Sequence, residues 1–291
     1  MSGFVIWTDQ RIMQEITLHY GSRQLAALGL GDPGKPLLLA LHGWLDNAAS
    51  FIPLAQHLQN YYVLAIDLPG HGMSPHRSED AHYHLVDWVQ DLHGLITAQG
   101  WQDVSILGHS LGGIIASLYA ASFPEMVKHL ILIESFGPLT EPEDTSPQQL
   151  RDSVLSRLEI ASKPARHPKD EAQAVTARKL AGDMRAPSAA LLVKRNLRAL
   201  DDGCLQWRSD RRLRTISSLR MTNAQAEAFL RAVQAPVLLL LGEKGFEKLR
   251  VNLAKRQEWV KDLTVRTLPG GHHLHMDYPL QAADSIQDFL K

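Results

Sequence analysis

Val104-Ser105-Ile106-Leu107-Gly108-His109-Ser110-Leu111-Gly112-Gly113-Ile114-Ile115 is the stretch whose reading decides the fold. An apolar run closes at Leu107, a Gly-x-Ser-x-Gly motif spans 108–112, and a helix-compatible stretch with small residues follows. Strand, sharp turn and helix in that order are what a nucleophile elbow needs. A serine at the tip of so tight a turn requires small neighbours two residues before and after it. Gly108 and Gly112 meet that demand, and Gly113 lets the new helix approach the sheet. The helix N-terminus then lies beside Ser110, with free N–H groups and a partial positive charge.

On the N-terminal side, residues 13–30 alternate apolar and polar, with Gly21 at a turn position, and read as an antiparallel hairpin. Gly31-Asp32-Pro33-Gly34 is a turn. Residues 37–41 and 61–66 are continuous apolar runs that suit strands buried on both faces, with a helix expected over 48–58 between them. Residues 85–98 carry one apolar face at helical spacing. Beyond the elbow, the helix runs to Phe123, Pro124 ends it, and residues 130–133 form a strand that stops at Glu134. The same buried-strand grammar returns at 237–242, followed by a helix over 246–261, a strand at 263–268 and a C-terminal helix at 280–290. Residues 138–234 differ. They hold helical stretches at 147–160, 169–180, 187–200 and 223–232, and no strand as apolar as the earlier ones. The expected architecture is therefore α/β: a mostly parallel eight-stranded sheet flanked by helices, with the hairpin on one edge. Residues 1–137 and 235–291 make the core domain, and 138–234 make an inserted helical cap.

Composition narrows the classes. The 291 residues are 45% hydrophobic and 21% charged, with a net charge of -1, so nothing global recruits nucleic acid or an anionic membrane. Cys204 is the single cysteine, which excludes an intrachain disulfide. The opening MSGFVIWTDQR lacks the charged and apolar regions of a signal peptide, and no apolar run approaches the roughly 18 residues of a membrane span. A cytoplasmic protein is expected. Residues 137–234 hold 17 Lys/Arg against 12 Asp/Glu while the rest is net acidic. Such charges read as solvated helix faces, the alternative being a basic lid for an acidic substrate.

A serine hydroxyl is a weak nucleophile; it needs an adjacent base, and the base needs an orienting acid. In a sheet of this kind the order is Ser, then Asp or Glu, then His. After the last strand the chain reads Gly271-His272-His273-Leu274-His275-Met276-Asp277. His272, nearest the strand's C-terminal end, is the first candidate base, His275 the second and His273 the third. His275 and Asp277 are read as holding the loop. The His272-x-x-His275 pair shows no carboxylate or further His partner in the sequence, so no metal is expected. For the acid, Glu134 terminates an apolar strand at the sheet edge that carries Ser110, where a carboxylate is costly unless partnered. It is preferred over Glu243 and Glu247 in the loop after the 237–242 strand. The oxyanion hole needs two backbone N–H groups, assigned to Leu111 and Trp44. Asp67, Gly70, His71 and Gly72 at the same edge are read as turn chemistry.

Taken together, His42-Gly43, Asp67-Leu68-Pro69-Gly70-His71-Gly72-Met73-Ser74, the 108–113 elbow and Gly271-His272 with Asp277 and Pro279 resemble the α/β-hydrolase fold superfamily over nearly the whole chain. More narrowly, Leu41-His42-Gly43-Trp44-Leu45-Asp46-Asn47-Ala48 and Phe123-Pro124-Glu125-Met126-Val127 look like the serine hydrolase-like proteins. The resemblance implies a capped serine hydrolase with His272 as its catalytic histidine. One departure stands out: the frequent Asp after the post-cap strand is Gly245 here. Haloalkane dehalogenases of the same fold can carry the acid as Glu at the end of the strand before the cap, the placement of Glu134. Those enzymes and the epoxide hydrolases use an Asp nucleophile, and Ser110 argues against both activities.

The expected function is hydrolysis of a carboxylic ester or related acyl bond in a small molecule, without a cofactor. C–C bond hydrolysis or cofactor-free perhydrolysis on the same triad is the enzymatic alternative. A binding protein that kept the fold is the non-enzymatic one.

Overall fold

A computed structural model describes residues 4–6 and 12–291; residues 1–3 and 7–11, which belong to the expected 1–137 segment, lie outside the described residues. The strands of the main sheet are β1 (Phe4–Ile6), β2 (Ile12–Tyr20), β3 (Arg23–Leu30), β4 (Leu37–Leu41), β5 (Tyr62–Ile66), β6 (Val104–His109), β7 (Val127–Ile133), β10 (Val237–Gly242) and β11 (Leu263–Leu268). Two further strands, β8 (Leu197–Ala199) and β9 (Leu205–Trp207), pair only with each other. The sheet order is β1-β2-β3-β5-β4-β6-β7-β10-β11. From β5 to β11 every pairing is parallel, while β1, β2 and β3 make the antiparallel edge. The eight expected strands are thus joined by the three-residue β1.

Two-sided burial follows from the period of two along a strand. Leu39 and Leu41 of β4, Leu64 and Ile66 of β5, and Leu130 and Leu132 of β7 pack into one core layer. Leu38, Ala40, Val63, Ala65, Ile131 and Ile133 pack into the other. The first layer is covered by α2 (Leu85–Ala98) and α3 (Leu111–Ser122). The second is covered by the turn at 48–51, α1 (Ile52–Ala55) and α10 (Pro279–Phe289).

The expected 48–58 helix is a 3-10 turn at Ala48–Phe51 followed by the single turn of α1. Asn47 caps the first piece, and Pro53, which lacks an N–H, is tolerated only in the opening turn of the second.

Between β7 and β10 lie α4 (Ser146–Ser162), α5 (Glu171–Gly182), α6 (Ala186–Asn196) and α7 (Asn223–Ala232). The expected 187–200 helix ends at Asn196, because the chain there enters the β8–β9 hairpin. α7 lies within the 138–234 stretch, yet its Leu230 belongs to the main core layer. After β10 comes α8 (Glu247–Arg256), and α9 (Leu274–Asp277) is a single turn directly after the last strand's loop. The expected 246–261 helix passes into a 3-10 turn at Gln257–Trp259.

The inserted helices are tied to the core by buried polar contacts. Arg195 of α6 donates to both oxygens of Asp67 and, through its other nitrogens, to Glu15 at 2.6 and 3.1 Å. Asn47 donates to the Leu192 carbonyl at 2.9 Å. Asp67 is wholly buried, whereas Glu15 is half exposed. Removing one member of a buried pair costs about 3–5 kcal/mol, and a screened surface pair less than about 1 kcal/mol. Arg195→Ala is therefore expected to lower stability by about 3 kcal/mol in urea unfolding and Glu15→Gln by less than about 1 kcal/mol. Equal losses would contradict the burial argument.

Candidate active site

All parallel strands deliver their C-terminal ends to one edge of the sheet. The strand order reverses around β4, which lies between β5 and β6, and such a reversal opens a crevice at that edge. Ser110 leaves β6 with φ 50° and ψ -115°, a conformation that costs a non-glycine residue about 1–3 kcal/mol. Its N–H donates to the Ile133 carbonyl at 3.0 Å, while its own carbonyl accepts from Gly113 and Ile114 at 3.0 and 3.1 Å. The crowding around the turn explains the small residues. A Cβ on Gly112 would overlap the Leu41 carbonyl, and one on Gly108 would stand 2.5 Å from the Gly113 Cα.

The oxyanion candidates come from two loops that are tied together. Gly112 N–H donates to the His42 carbonyl at 3.1 Å. His42 donates from Nδ1 to the Gly43 carbonyl at 2.8 Å and accepts at Nε2 from the Leu68 N–H at 3.0 Å, which fixes its neutral tautomer. Burial also lowers its pKa. Leu45 then turns back with φ 60°. Among the described residues, the N–H groups of Trp44 and Leu111 donate to no protein acceptor. The Trp44 indole donates instead to the Leu213 carbonyl of the inserted segment at 2.9 Å, and half of its side chain remains exposed.

Glu134 leaves β7 with φ 49° and is buried. One carboxylate oxygen accepts from the Gly242 N–H at 2.7 Å; the other accepts from the Phe246 N–H at 3.2 Å and faces the His272 Nδ1 at 3.4 Å. A Cβ on Gly245 would overlap this carboxylate. The absence of a side chain at 245 is therefore the space in which the Glu134 side chain lies. Glu243 and Glu247 are exposed. Burial lowers the His272 imidazole below its ordinary range; Glu134 pulls the other way and His109 reinforces the drop. The Phe246 ring packs on His272 with centroids 4.2 Å apart. The His272 carbonyl accepts from His109 Nε2 at 2.8 Å, so the elbow and the histidine loop are joined directly. No hydrogen bond links the Ser110 hydroxyl to His272 in this arrangement; such bonds are often long before substrate binds.

Asp67 accepts from the Ala48 and Met73 N–H groups at 2.7 and 2.8 Å. His71 is buried, which pushes its pKa down to about 3. Both serve the turn. Asp277 accepts from Ser188 Oγ at 2.6 Å and from the Arg185 N–H, tying the histidine loop to α6 and its N-cap.

The structure also assembles a group that the sequence did not disclose. Asp46, His109 and His273 meet in the interior, with Asp46 Oδ2 lying 3.4 Å from His109 Nδ1 and 3.3 Å from His273 Nε2. Arg178 of α5 pairs with the other Asp46 oxygen. Burial alone would raise the Asp46 carboxyl, but His273, His109 and Arg178 hold it well below the usual carboxylate range. These residues come from two loops, the end of β6 and α5, and no local spacing signals their meeting.

Gly245→Ala is expected to displace the Glu134 carboxylate; if Glu134 orients His272 in an ester hydrolase, kcat for a p-nitrophenyl ester falls by at least about 100-fold. Added to Glu134→Ala, the same change is expected to alter kcat less than about threefold, since the two act through one interaction. Additive losses would separate Gly245 from Glu134.

Comparison with known proteins places these observations. A family model described as the alpha/beta hydrolase fold matches residues 36–279. Human serine hydrolase-like protein 2 is 30% identical, with 96% of this chain and 95% of that protein covered. A hypothetical protein of Pseudomonas aeruginosa, solved by crystallography, is 37% identical with TM-score 0.88, covering 95% of this chain and 99% of its own. The thioesterase domain from the curacin biosynthetic pathway is 26% identical with TM-score 0.83, covering 95% and 99%.

Proposed function

The chain belongs to the α/β-hydrolase fold family, and from that premise we propose that it is a serine hydrolase cleaving a carboxylic ester or related acyl bond of a small molecule through an acyl-enzyme. The observation that carries this reading is a strained Ser110 at a helix N-terminus, sharing one sheet edge with a His272 imidazole that faces a buried carboxylate.

In the proposed reaction Ser110 Oγ attacks the acyl carbon while His272 Nε2 takes its proton. Glu134 faces Nδ1, so it selects the tautomer whose free Nε2 lone pair is the base, and it stabilises the imidazolium that forms. Negative charge developing on the acyl oxygen is met by the unengaged N–H groups of Trp44 and Leu111, aided by the positive end of α3. His272 then returns the proton to the leaving group. Water repeats the sequence on the acyl-Ser110 ester and frees the acid. The exposed Trp44 and Phe246 side chains provide apolar walls for an acyl group. The thioesterase domain and the serine hydrolase-like protein among the relatives support acyl transfer as the reaction class. Residues 138–234 are proposed as the lid over this edge. Among the described residues no helix is long and apolar enough to cross a membrane.

A fluorophosphonate probe is expected to label the wild type and not Ser110→Ala, and Ser110→Ala is expected to lower kcat on p-nitrophenyl acetate by about 10⁴-fold or more. Full turnover by that variant would end the reading. Paired ester and thioester substrates of equal acyl length identify the bond preferred.

A further inference from the structure

His109 donates its Nε2 hydrogen to the His272 carbonyl at 2.8 Å, and His273 donates its Nδ1 hydrogen to the Gly182 carbonyl at 3.0 Å. A carbonyl can only accept, so both tautomers are set from outside. The remaining nitrogens, His109 Nδ1 and His273 Nε2, turn lone pairs toward Asp46 Oδ2 at 3.4 and 3.3 Å, and that oxygen is an acceptor too. With both rings neutral, three acceptors converge, and either an added proton, as in a His273–Asp46 hydrogen bond, or a cation must stand between them. His109 Nδ1 is a buried atom without a hydrogen-bond partner. Beside it His275 is wholly buried, its ring centroid 4.3 Å from that of His109, and neither of its nitrogens has a partner. Unpaired buried nitrogens are rare and call for a specific cause.

We propose that Asp46, His109 and His273 form a binding site for one divalent cation of borderline softness, best matched by Zn²⁺. Zinc holds His nitrogens at about 2.0–2.1 Å and carboxylate oxygens at about 2.0–2.2 Å, so the edges of its tetrahedron measure about 3.3–3.5 Å. The two distances from Asp46 Oδ2 match these edges. The two ring nitrogens lie at most 4.8 Å apart and would draw together on an ion by small rotations of the rings. The outer contacts are also those of a metal site. Each ligating imidazole gives its other N–H to a backbone carbonyl, and the ligating carboxylate is itself held, here by Arg178. Two nitrogens and one oxygen suit Zn²⁺ better than Mg²⁺ or Ca²⁺, which take oxygen ligands. The ligands stand on the oxyanion loop, the elbow and the histidine loop, and Gly182 adds the cap. A cation here would staple the four segments that frame Ser110 without itself touching substrate.

The test uses the full chain, equilibrated with Zn²⁺ or with Co²⁺ as a spectroscopic probe. Expected results are one equivalent bound by elemental analysis, visible Co²⁺ bands of tetrahedral strength, and a higher Tm with Zn²⁺. Asp46→Asn and His273→Ala are expected to weaken binding beyond the about 10–100-fold that loss of an outer partner costs. Cys204→Ser, at an exposed thiol, is expected to change nothing. Far-UV circular dichroism shows whether each variant folds. If a variant does not, zinc-edge anomalous diffraction from wild-type crystals decides by locating the ion among Asp46, His109 and His273. Failure of wild type to bind a stoichiometric ion, binding unchanged in the folded variants, or an anomalous peak elsewhere would overturn the site and leave a cluster held by protons.

Discussion

Strands β6 and β7 lie side by side, with His109 paired to Ile133, and each is followed at once by a residue in the left-handed region: Ser110 at φ 50° and Glu134 at φ 49°. Neither is glycine, and each conformation costs about 1–3 kcal/mol. The pair is sustained by the ladder itself. Ser110 N–H still donates to Ile133, and Glu134 N–H to Leu240, so both residues complete the sheet before turning away from it. The fully buried strands beneath supply the stability that offsets the strain. Two neighbouring side chains are thereby thrown out over one edge in fixed directions. The other parts of the candidate site are arranged around that pair.

Glu134 and Gly245 show how a carboxylate can reach a histidine from a different strand. A longer side chain on β7 spans the space that a side chain on the loop after β10 would fill, and overlap at Gly245 allows only one of them. The backbone N–H groups of Gly242 and Phe246 then solvate the incoming carboxylate. A buried carboxylate needs donors, and the end of β10 and the loop after it provide two for Glu134.

The strands of the sheet, their parallel sense and the elbow were legible because each is a local signal: apolar runs, turn residues, glycine spacing. Ser110, His272 and Glu134 were legible because each ends or follows a strand. The β8–β9 hairpin was not, since its strands are three residues each, none of them buried, and carry no apolar period. Nor was the 3-10 break at Ala48–Phe51, where apolar spacing alone does not distinguish helix types. The group around Asp46 was hidden for a deeper reason. His109 reads as the filler of a serine motif and His273 as a spare in a histidine run. Only tertiary folding brings Asp46 between them and Arg178 over it.

The same contacts would couple the proposed lid to the proposed chemistry. Within the short stretch from Trp44 to Asn47, three side chains bind inserted segments: Trp44 to the Leu213 carbonyl, Asp46 to Arg178 and Asn47 to the Leu192 carbonyl. The main chain of that stretch also carries one of the two N–H groups assigned to the oxyanion. A displacement of α5 or α6 would therefore pull on the loop that sets the Trp44 N–H, while the Leu111 N–H, fixed by β6 and α3, would stay. Of the two proposed donors, one is anchored by the sheet and the other would follow the position of the inserted helices. On the proposed assignment, that asymmetry would make the oxyanion geometry depend on how the 138–234 segment sits.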